Sequence, residues 1–414
     1  MSRKAKDKRP NLPKVREVSL DDRYLTLRIV CLVLMICVAV TMFAVGISSL
    51  LSKEPGWQEI SVSSAADAPI ASEFSLTYNL GAAGASATAE AKALTSLYTT
   101  AMNSAYEIFS TSEEYEDVQN LYYLNSHPGE VITVDAALYA ALEAFSGSRL
   151  QFYGGVYRLY QNIFLAADDL EASYYDPALD ESTAEYLQEL VAFASDEEAV
   201  SLALLGGNTV CLCVSEEYAA FAAEYGLTNF VDFSYLTNAV IADYVADELI
   251  AGGYTLGILS SMDGFHRSLG DSGESYSLSV YALSDSEAYP AATLTYSGAA
   301  AVVSLRVFAL DDDVQLQHYT YADGTLRHPY FSLETGEQLA ALDALTVYSN
   351  SLGCTEVALQ ALAAYIAPEL DPLALAGLGY VYCDGSTIHY NDSAVTITDN
   401  YEGTSLEKQI VLDD

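Results

Sequence analysis

One continuous apolar segment divides the chain and constrains what the residues on either side of it can become. From Ile29 to Leu51 the sequence has no charged residue over about 23 positions, enough for a helix to cross a bilayer core of about 30 Å. Arg28 and Lys53 flank the segment. Uncharged runs of this length are typical of membrane-spanning helices, so we predict one N-terminal transmembrane anchor at residues 29–51.

Charge is distributed unevenly about this segment. About nine of the 17 Lys and Arg residues precede Ile29, with about four acids, so roughly 8 basic and 53 acidic residues follow Leu51, a net charge near −45. The positive-inside rule places residues 1–28 in the cytoplasm as a basic tail and the rest outside the membrane. A cleaved signal peptide is the alternative, although the apolar core is long for one. The acidic excess repels nucleic acid, which excludes DNA and RNA binding.

After the apolar segment, composition and periodicity predict a single α+β domain. Residues 52–70 are weakly patterned and contain Ser, Ala and Pro, so we predict an extracytoplasmic tether there and a folded domain over 71–414. Strands and helices are mixed without strict alternation, which favours the α+β class. Strands are predicted from Ala71 onward and at TVCLCV, and helices at about 86–109, 181–195 and 215–225 and over TEVALQALAAYIA.

The six cysteines do not have the spacing of a disulfide framework or a zinc site. Cys211 and Cys213 share one face of the predicted strand TVCLCV, and no His lies near them in sequence. We therefore expect core packing for this pair, with a long-range disulfide left open. The other four are Cys31 and Cys37, within the predicted membrane segment, and the isolated Cys354 and Cys383.

The stretch VDFSYLTNAVIADYVADELIAGG, residues 231–253, predicts a strand end followed by a buried helix. Its apolar residues recur at helical spacing, and Gly252 and Gly253 stand where a helix C-cap is expected. Asp232 or Ser234 could cap the start of the helix. Such a helix needs no function, so the rest of the chain must decide whether it forms part of a site.

The order of elements and several motifs resemble the FAD:protein FMN transferase (ApbE-like) family from about Ala71 to about Asp399. VDFSYLTNAVIAD follows the family pattern D-L-G-G-I-A-K-G-Y-A-V-D, with Asp232 and Asp243 kept. HPYFSLETG is similar to H-H-I-I-D-P-x-T-G, and LTVYSNSLGCTEVALQAL resembles V-T-V…A-D-A-L-S-T-A. The resemblance implies an exported or membrane-anchored enzyme that binds FAD with Mg²⁺ and attaches the FMN half to a Thr or Ser hydroxyl of a target protein.

The resemblance also implies which residues would contact the cofactor and the metal. The metal position has no direct match, and the neighbouring Glu356 would reach it only if the register slipped. The sequence assigns no catalytic residue. The implied cofactor-binding positions are Asp232, Thr237, Asn238, Asp263, His328, Thr335 and Gly336.

The chain departs from the family at the positions that carry the chemistry. Ser234 and Tyr235 replace the two motif glycines, Asn238 replaces the motif Lys, and Val357 and Ala361 replace the Asp and Thr of the metal-bearing helix. A glycine lets backbone N–H groups approach a phosphate, whereas a Tyr side chain fills that space. Val and Ala offer Mg²⁺ no oxygen ligand. These replacements predict a degenerate site.

Two functions are therefore open from the sequence. The first is a non-catalytic, membrane-anchored module that binds a protein partner at the cell envelope; we expect it to use no cofactor, with flavin binding left open. The second is an active, Mg²⁺-dependent flavin transferase whose ligands come from unaligned positions such as Thr237, Asp263 and Glu356. Zinc is disfavoured because His127, His266, His318 and His389 lack ligand spacing, and the acidic triplet 311–313 fits a solvated hairpin better than a Ca²⁺ loop.

Overall fold

A computed structural model describes residues 33–36, 42, 53–63, 68–270, 273–284, 287–310, 317–400 and 404–408. The chain divides into two units, Met1–Lys53 and Glu54–Asp414. In the first unit the described residues 33–36 and 42 are helical. The predicted basic tail, most of the predicted membrane segment and the acidic triplet lie outside the described residues. Within those residues, no helix combines the length and the apolar character needed to cross a membrane.

The second unit contains strands and helices mixed along the chain, as predicted. The helices are α1 (Ala87–Phe109), α2 (Leu121–Ser126), α3 (Ala136–Ala144), α4 (Leu150–Phe164), α5 (Asp169–Tyr175), α6 (Glu181–Ser195), α7 (Glu216–Tyr225), α8 (Thr237–Ala251) and α9 (Cys354–Tyr365). The strands are β1 (Gly56–Ile60), β2 (Phe74–Leu80), β3 (Val131–Thr133), β4 (Val200–Gly206), β5 (Thr209–Val214), β6 (Gly257–Ser261), β7 (Phe265–Ser268), β8 (Ser275–Ser284), β9 (Glu287–Ser297), β10 (Ala301–Arg306), β11 (Tyr319–Thr320), β12 (Leu326–Arg327), β13 (Ala344–Ser349), β14 (Gly379–Asp384), β15 (Thr387–Tyr390), β16 (Thr396–Asp399) and β17 (Ser405–Lys408).

A large sheet organises the described part of this unit. Its nine strands lie in the order β1-β2-β6-β7-β10-β13-β14-β15-β17, and each neighbouring pair is antiparallel except β15 and β17. Two three-stranded sheets, β16-β9-β8 and β3-β5-β4, and the hairpin β11-β12 complete the strand pairing within the described ranges. The mixed architecture confirms the predicted α+β class.

The large sheet buries a different core on each face, because successive side chains of a strand point to opposite sides. On one face Val303 and Val347 join the main core, which also contains the buried sides of α1, α8 and α9. On the other face Val302 and Tyr348 join a smaller core with residues of β8 and β9. Helix α8 is thus held between the sheet and the other helices, and its first turn is fixed in place.

Most of the predicted helices are confirmed, and α8 matches its prediction at its C-terminal end but not at its start. It ends at Ala251 with Gly252 as its C-cap, as the glycine pair predicts. At its start, however, the predicted strand end is wrong. A 3-10 turn at Ser234–Leu236 precedes the helix instead, and the Asp232 carboxylate accepts a hydrogen bond from the Ser234 N–H at 2.7 Å.

The predicted tether, residues 52–70, contains a strand of the large sheet. Strand β1 pairs with β2 along its whole length, from Gly56 opposite Leu80 to Ile60 opposite Leu76. Ile60 is buried at 3% exposure. The folded unit therefore begins before Ala71, and a five-residue strand with one buried apolar residue is too short to produce a clear alternating pattern.

Helix α4 was not predicted, and it contains the adjacent Gly154 and Gly155, which are unfavourable in a helix interior. The structure explains the first of these glycines. A Cβ atom on Gly154 would lie 2.5 Å from the backbone oxygen of Asn229, so only glycine allows α4 to approach the chain that leads into α8. This close approach brings α4 beside the start of α8.

Candidate functional site

The start of α8 opens onto a cavity of about 270 Å³. Helix α4 forms one wall, the loop between β6 and β7 forms another, and the residues just before β2 complete it. The structure brings together four of the seven predicted cofactor-binding residues here. They are Asp232, Thr237, Asn238 and Asp263.

Asn238 joins two carboxylates in this cavity. Its Nδ2 donates hydrogen bonds to Glu73 Oε2 and to Asp263 Oδ2, both at 2.9 Å. Asp263 also accepts from Ser261 Oγ at 2.5 Å and from Gln317 Nε2 at 3.3 Å. Burial, and then the nearby Glu73 carboxylate, raise the pKa of Asp263 to about 6. A neutral amide thus stands where the resemblance implies a Lys ammonium, and it adds no positive charge beside the two carboxylates.

Asp232 has a structural role at the same cavity. Its carboxylate accepts from the Ser234 N–H and, at 2.9 Å, from Asn229 Nδ2, while burial raises its pKa. Ser234 adopts a left-handed backbone conformation with φ of +52°, and its Oγ donates to the backbone carbonyl oxygen of Tyr153 at 3.0 Å. The backbone therefore keeps the conformation that suits the motif glycine, although the residue carries a side chain.

Tyr235 occupies the position of the second motif glycine, and its ring is almost completely buried at 2% exposure. It contacts three other tyrosine rings, with centroid separations of 5.8 Å to Tyr153, 5.7 Å to Tyr157 and 5.4 Å to Tyr330. Edge and tilted contacts of this kind contribute to a packed aromatic core. The space that a glycine would leave for a phosphate is filled by this cluster.

The positions of the metal-bearing helix are apolar and closed. Val357 and Ala361 on α9 are both at 0% exposure. Glu356, the predicted metal ligand, is exposed, and its carboxylate accepts from the Gly353 N–H at 3.4 Å. Within the described ranges, no three or more His, Cys, Asp or Glu side chains form a possible metal site. The residues present therefore do not fit the Mg²⁺ that the resemblance implies.

Asp243, the second aspartate kept in the motif, lies at the N-terminus of α9. Its two oxygens accept from the backbone N–H groups of Cys354 at 2.7 Å and Thr355 at 2.8 Å. Arg267 Nε lies 3.4 Å from the same carboxylate. Burial raises the pKa of Asp243, although Arg267 acts in the opposite direction. Asp243 thus joins two helices and does not line the cavity.

The remaining predicted residues lie away from the cavity. The His328 ring is half-buried, and its desolvation, together with His318 and Arg327, lowers its pKa to about 3, so it is neutral at physiological pH. Thr335 lines a second cavity of about 320 Å³, and its Oγ1 accepts from the Glu337 N–H. Gly336 closes a turn with φ of +73°, and a Cβ there would lie 2.6 Å from a Val191 methyl group.

Sequence reasoning missed the α4 side of the cavity. Tyr157, Arg158 and Gln161 line it, and the Arg158 guanidinium donates to Gln161 Oε1 at 2.6 Å. The signal was present, since apolar residues recur at helical spacing through LQFYGGVYRLYQNIF. Of these three residues only Arg158 carries a charge, so α4 adds one positive charge to the cavity lining. The carboxylates of Glu73, Asp232 and Asp263 outnumber the single guanidinium among the lining residues.

The described domain has an α+β fold of the ApbE type, as the sequence resemblance implies. Its structure is similar to that of the ApbE protein from Thermotoga maritima, with a TM-score of 0.54 and 13% identity over 84% of this chain and 97% of that chain. A mutant of the flavin transferase ApbE from Vibrio cholerae matches with a TM-score of 0.49 and 14% identity, at the same coverage. No family model and no curated protein sequence matches the chain.

Proposed function

We propose that the protein is a non-catalytic binding module with the ApbE-like fold, anchored in the membrane and facing the outside of the cell. The carrying observation is the closed apolar surface of α9. Val357 and Ala361, at the positions implied for Mg²⁺ ligands, are fully buried in the core. Catalysis of phosphoryl transfer by a metal needs oxygen ligands that hold the ion, and these positions supply none.

The cavity at the start of α8 supports the same proposal. Its volume of about 270 Å³ lies below the usual range of about 300–1,000 Å³ for ligand pockets. Tyr235 fills one glycine position, and the carboxylates of Glu73 and Asp263 line the cavity on either side of the Asn238 amide. A dinucleotide with two phosphates would meet net repulsion here, because three carboxylates line the cavity and Arg158 supplies only one guanidinium among the lining residues.

The location is proposed from the sequence. The basic tail, the apolar segment at residues 29–51 and the acidic remainder fit a single-pass protein whose partners are the membrane and an envelope protein. Protease added to intact cells should digest the C-terminal region and leave the first 28 residues intact. Protection of the C-terminal region from protease would contradict this orientation.

The decisive experiment is FAD cleavage by the purified full-length protein. We expect no release of AMP from FAD with or without Mg²⁺, and no increase of flavin affinity when Mg²⁺ is added, as followed by flavin fluorescence. An authentic flavin transferase assayed in parallel provides the positive control. AMP release that disappears with a chelator, or in Glu356→Ala, would establish the active transferase instead.

A further inference from the structure

The cysteine pair of β5 lies on the outer surface and not in the core, contrary to the sequence expectation. Val210 and Leu212 of this strand are fully buried, so the alternate residues Cys211 and Cys213 face outward. Cys213 is exposed and Cys211 is half-buried. Their sulfur atoms lie 3.9 Å apart. Core packing therefore does not account for the pair.

The strand holds the two sulfurs in place. β5 is the central strand of its sheet, with β3 paired on one side and β4 on the other. Val131 and Ala203 lie opposite Cys211 on the two neighbouring strands. Because β4 pairs with β5 at both Cys211 and Cys213, and β3 pairs with it at Cys211, the sheet fixes the backbone from which the two side chains project.

The separation suits a bridging metal ion better than a disulfide. Two metal–sulfur bonds of about 2.3 Å span up to about 4.6 Å between sulfurs, and 3.9 Å lies within that reach. A disulfide needs sulfurs about 2.05 Å apart and Cα atoms within about 6.8 Å, whereas a two-residue step along a strand covers about 6.6–6.8 Å. The disulfide would thus lie at the upper limit of its Cα range and would need the sulfurs to approach by about 1.9 Å, whereas a bridging ion would not need them to approach.

We propose that Cys211 and Cys213 form a binding site for a soft, low-coordinate metal ion, of which Cu(I) is the representative. Thiolate sulfur favours Cu(I), zinc and iron–sulfur clusters, and of these Cu(I) is the one that two ligands satisfy. Zinc would need four, and the described residues contain no cluster of three or more candidate ligands. The acidic remainder of the chain also attracts cations to its surface.

Binding is a proton exchange without electron transfer. Burial and the adjacent Cys213 thiol raise the pKa of Cys211, so this residue is a thiol before the metal arrives. Two sulfur–hydrogen bonds break, two copper–sulfur bonds form, and two protons enter the solvent. The complex of one Cu⁺ with two thiolates carries one negative charge. Neither copper nor sulfur is oxidised or reduced.

The test is competition for Cu(I) between the full-length protein and a chromogenic Cu(I) chelator, without oxygen and with the cysteines reduced. We expect one Cu(I) per chain, two sulfur neighbours by X-ray absorption at the copper edge, and release of about two protons. Cys211→Ser and Cys213→Ser should each weaken binding by more than about 100-fold, the upper end for losing only an outer-shell partner. Unchanged circular dichroism must accompany the loss, so that unfolding is excluded.

Two controls separate this site from the other cysteines. Cys383→Ser changes a half-buried cysteine of β14, and a double Cys31→Ser, Cys37→Ser variant removes the pair near the N-terminus. Both should retain full Cu(I) affinity. No Cu(I) binding by the reduced protein, equal binding in Cys213→Ser, or loss of binding in the double N-terminal variant would each overturn the proposal. None of these outcomes depends on whether FAD is cleaved.

Discussion

Helix α8 keeps the ApbE-like motif residue at one position and replaces it at another, less than two turns away. At Asp243 the motif aspartate is present and both of its oxygens accept backbone N–H groups of α9. At Asn238 the motif Lys is replaced, and an amide bridges Glu73 and Asp263. The first position joins two helices, and the second lines the cavity.

The difference separates structural from chemical positions. The aspartates kept in the motif, Asp232 and Asp243, satisfy backbone donors that would otherwise be buried without a partner, and this need exists whether or not a ligand binds. The side chains at the replaced positions accept no hydrogen bond from a backbone N–H group in this way. These positions are Tyr235, Asn238 and Val357. Resemblance at structural positions therefore shows that a fold is shared, while replacement at chemical positions bears on activity.

The largest effect is expected where a replaced position has become part of the core. Tyr235→Ala removes a buried ring that contacts three tyrosines, so it should cost about 3–5 kcal/mol of unfolding free energy. Tyr235→Phe keeps the ring and should cost less than about 1 kcal/mol. Urea unfolding of the two variants checks the difference. Equal stability of Tyr235→Ala and the parent would mean that the glycine space is open after all.

The second largest loss of stability is expected at Asp243, where the motif aspartate is kept. Asp243→Ala leaves two N–H groups of α9 without their partner and Arg267 without its inner carboxylate, so we expect a loss of about 2–4 kcal/mol. Asp247 contacts the same guanidinium, but its side chain is 71% exposed. Asp247→Ala is therefore the matched control, and should cost less than about 1 kcal/mol. If Asp243→Ala lost as little unfolding free energy as Asp247→Ala, the two hydrogen bonds to the N-terminus of α9 would not contribute to stability.

Much of the fold could be predicted because its periodic segments are long. α1 and α6 have complete amphipathic patterns and match the predicted limits within a residue or two. β1 and α4 were missed for opposite reasons. β1 is too short to establish a period, and the glycine pair of α4 meets a tertiary requirement, since Gly154 contacts backbone at Asn229. Local sequence carries no record of such contacts.

The candidate site could be predicted only in part. The motif resemblance located Asn238 and Asp263 at the cavity, but not Glu73, which is more than 160 positions away from Asn238 in sequence and reaches it through the pairing of β2 with β6. The outward orientation of Cys213 was also missed, because alternation in TVCLCV defines two faces without saying which one is buried.

The carboxylate pair at the cavity should make stability depend on pH. The folded-state pKa of Asp263 is about 6, above the ordinary value near 4, so the folded state holds the proton more tightly. Stability should therefore fall as the pH rises from about 4 to 6, by roughly 1–3 kcal/mol, and the cost is fully present above that window. Asp263→Asn should remove this part of the pH dependence, as measured by urea midpoints from pH 4 to 7. The same slope in Asp263→Asn would assign it to other groups.

Restoring the motif Lys should have the smallest effect on stability and tests the chemical side of the comparison. In Asn238→Lys an ammonium would face Glu73 and Asp263 and favour the ionised form of Asp263, so the pKa of Asp263 should fall and the loss of stability between pH 4 and 6 should shrink. At pH 7 the change in unfolding free energy should stay within about 1 kcal/mol, because desolvation of the ammonium offsets its attraction to the carboxylates. Asn238→Met, with a side chain of similar length to Lys and without charge, should keep the pH dependence.

FAD cleavage should stay absent in Asn238→Lys, since Tyr235 still fills the glycine space and Val357 still offers no metal ligand. If this one substitution produced Mg²⁺-dependent AMP release, the replaced Lys alone would account for the missing activity, and the closed metal positions would not.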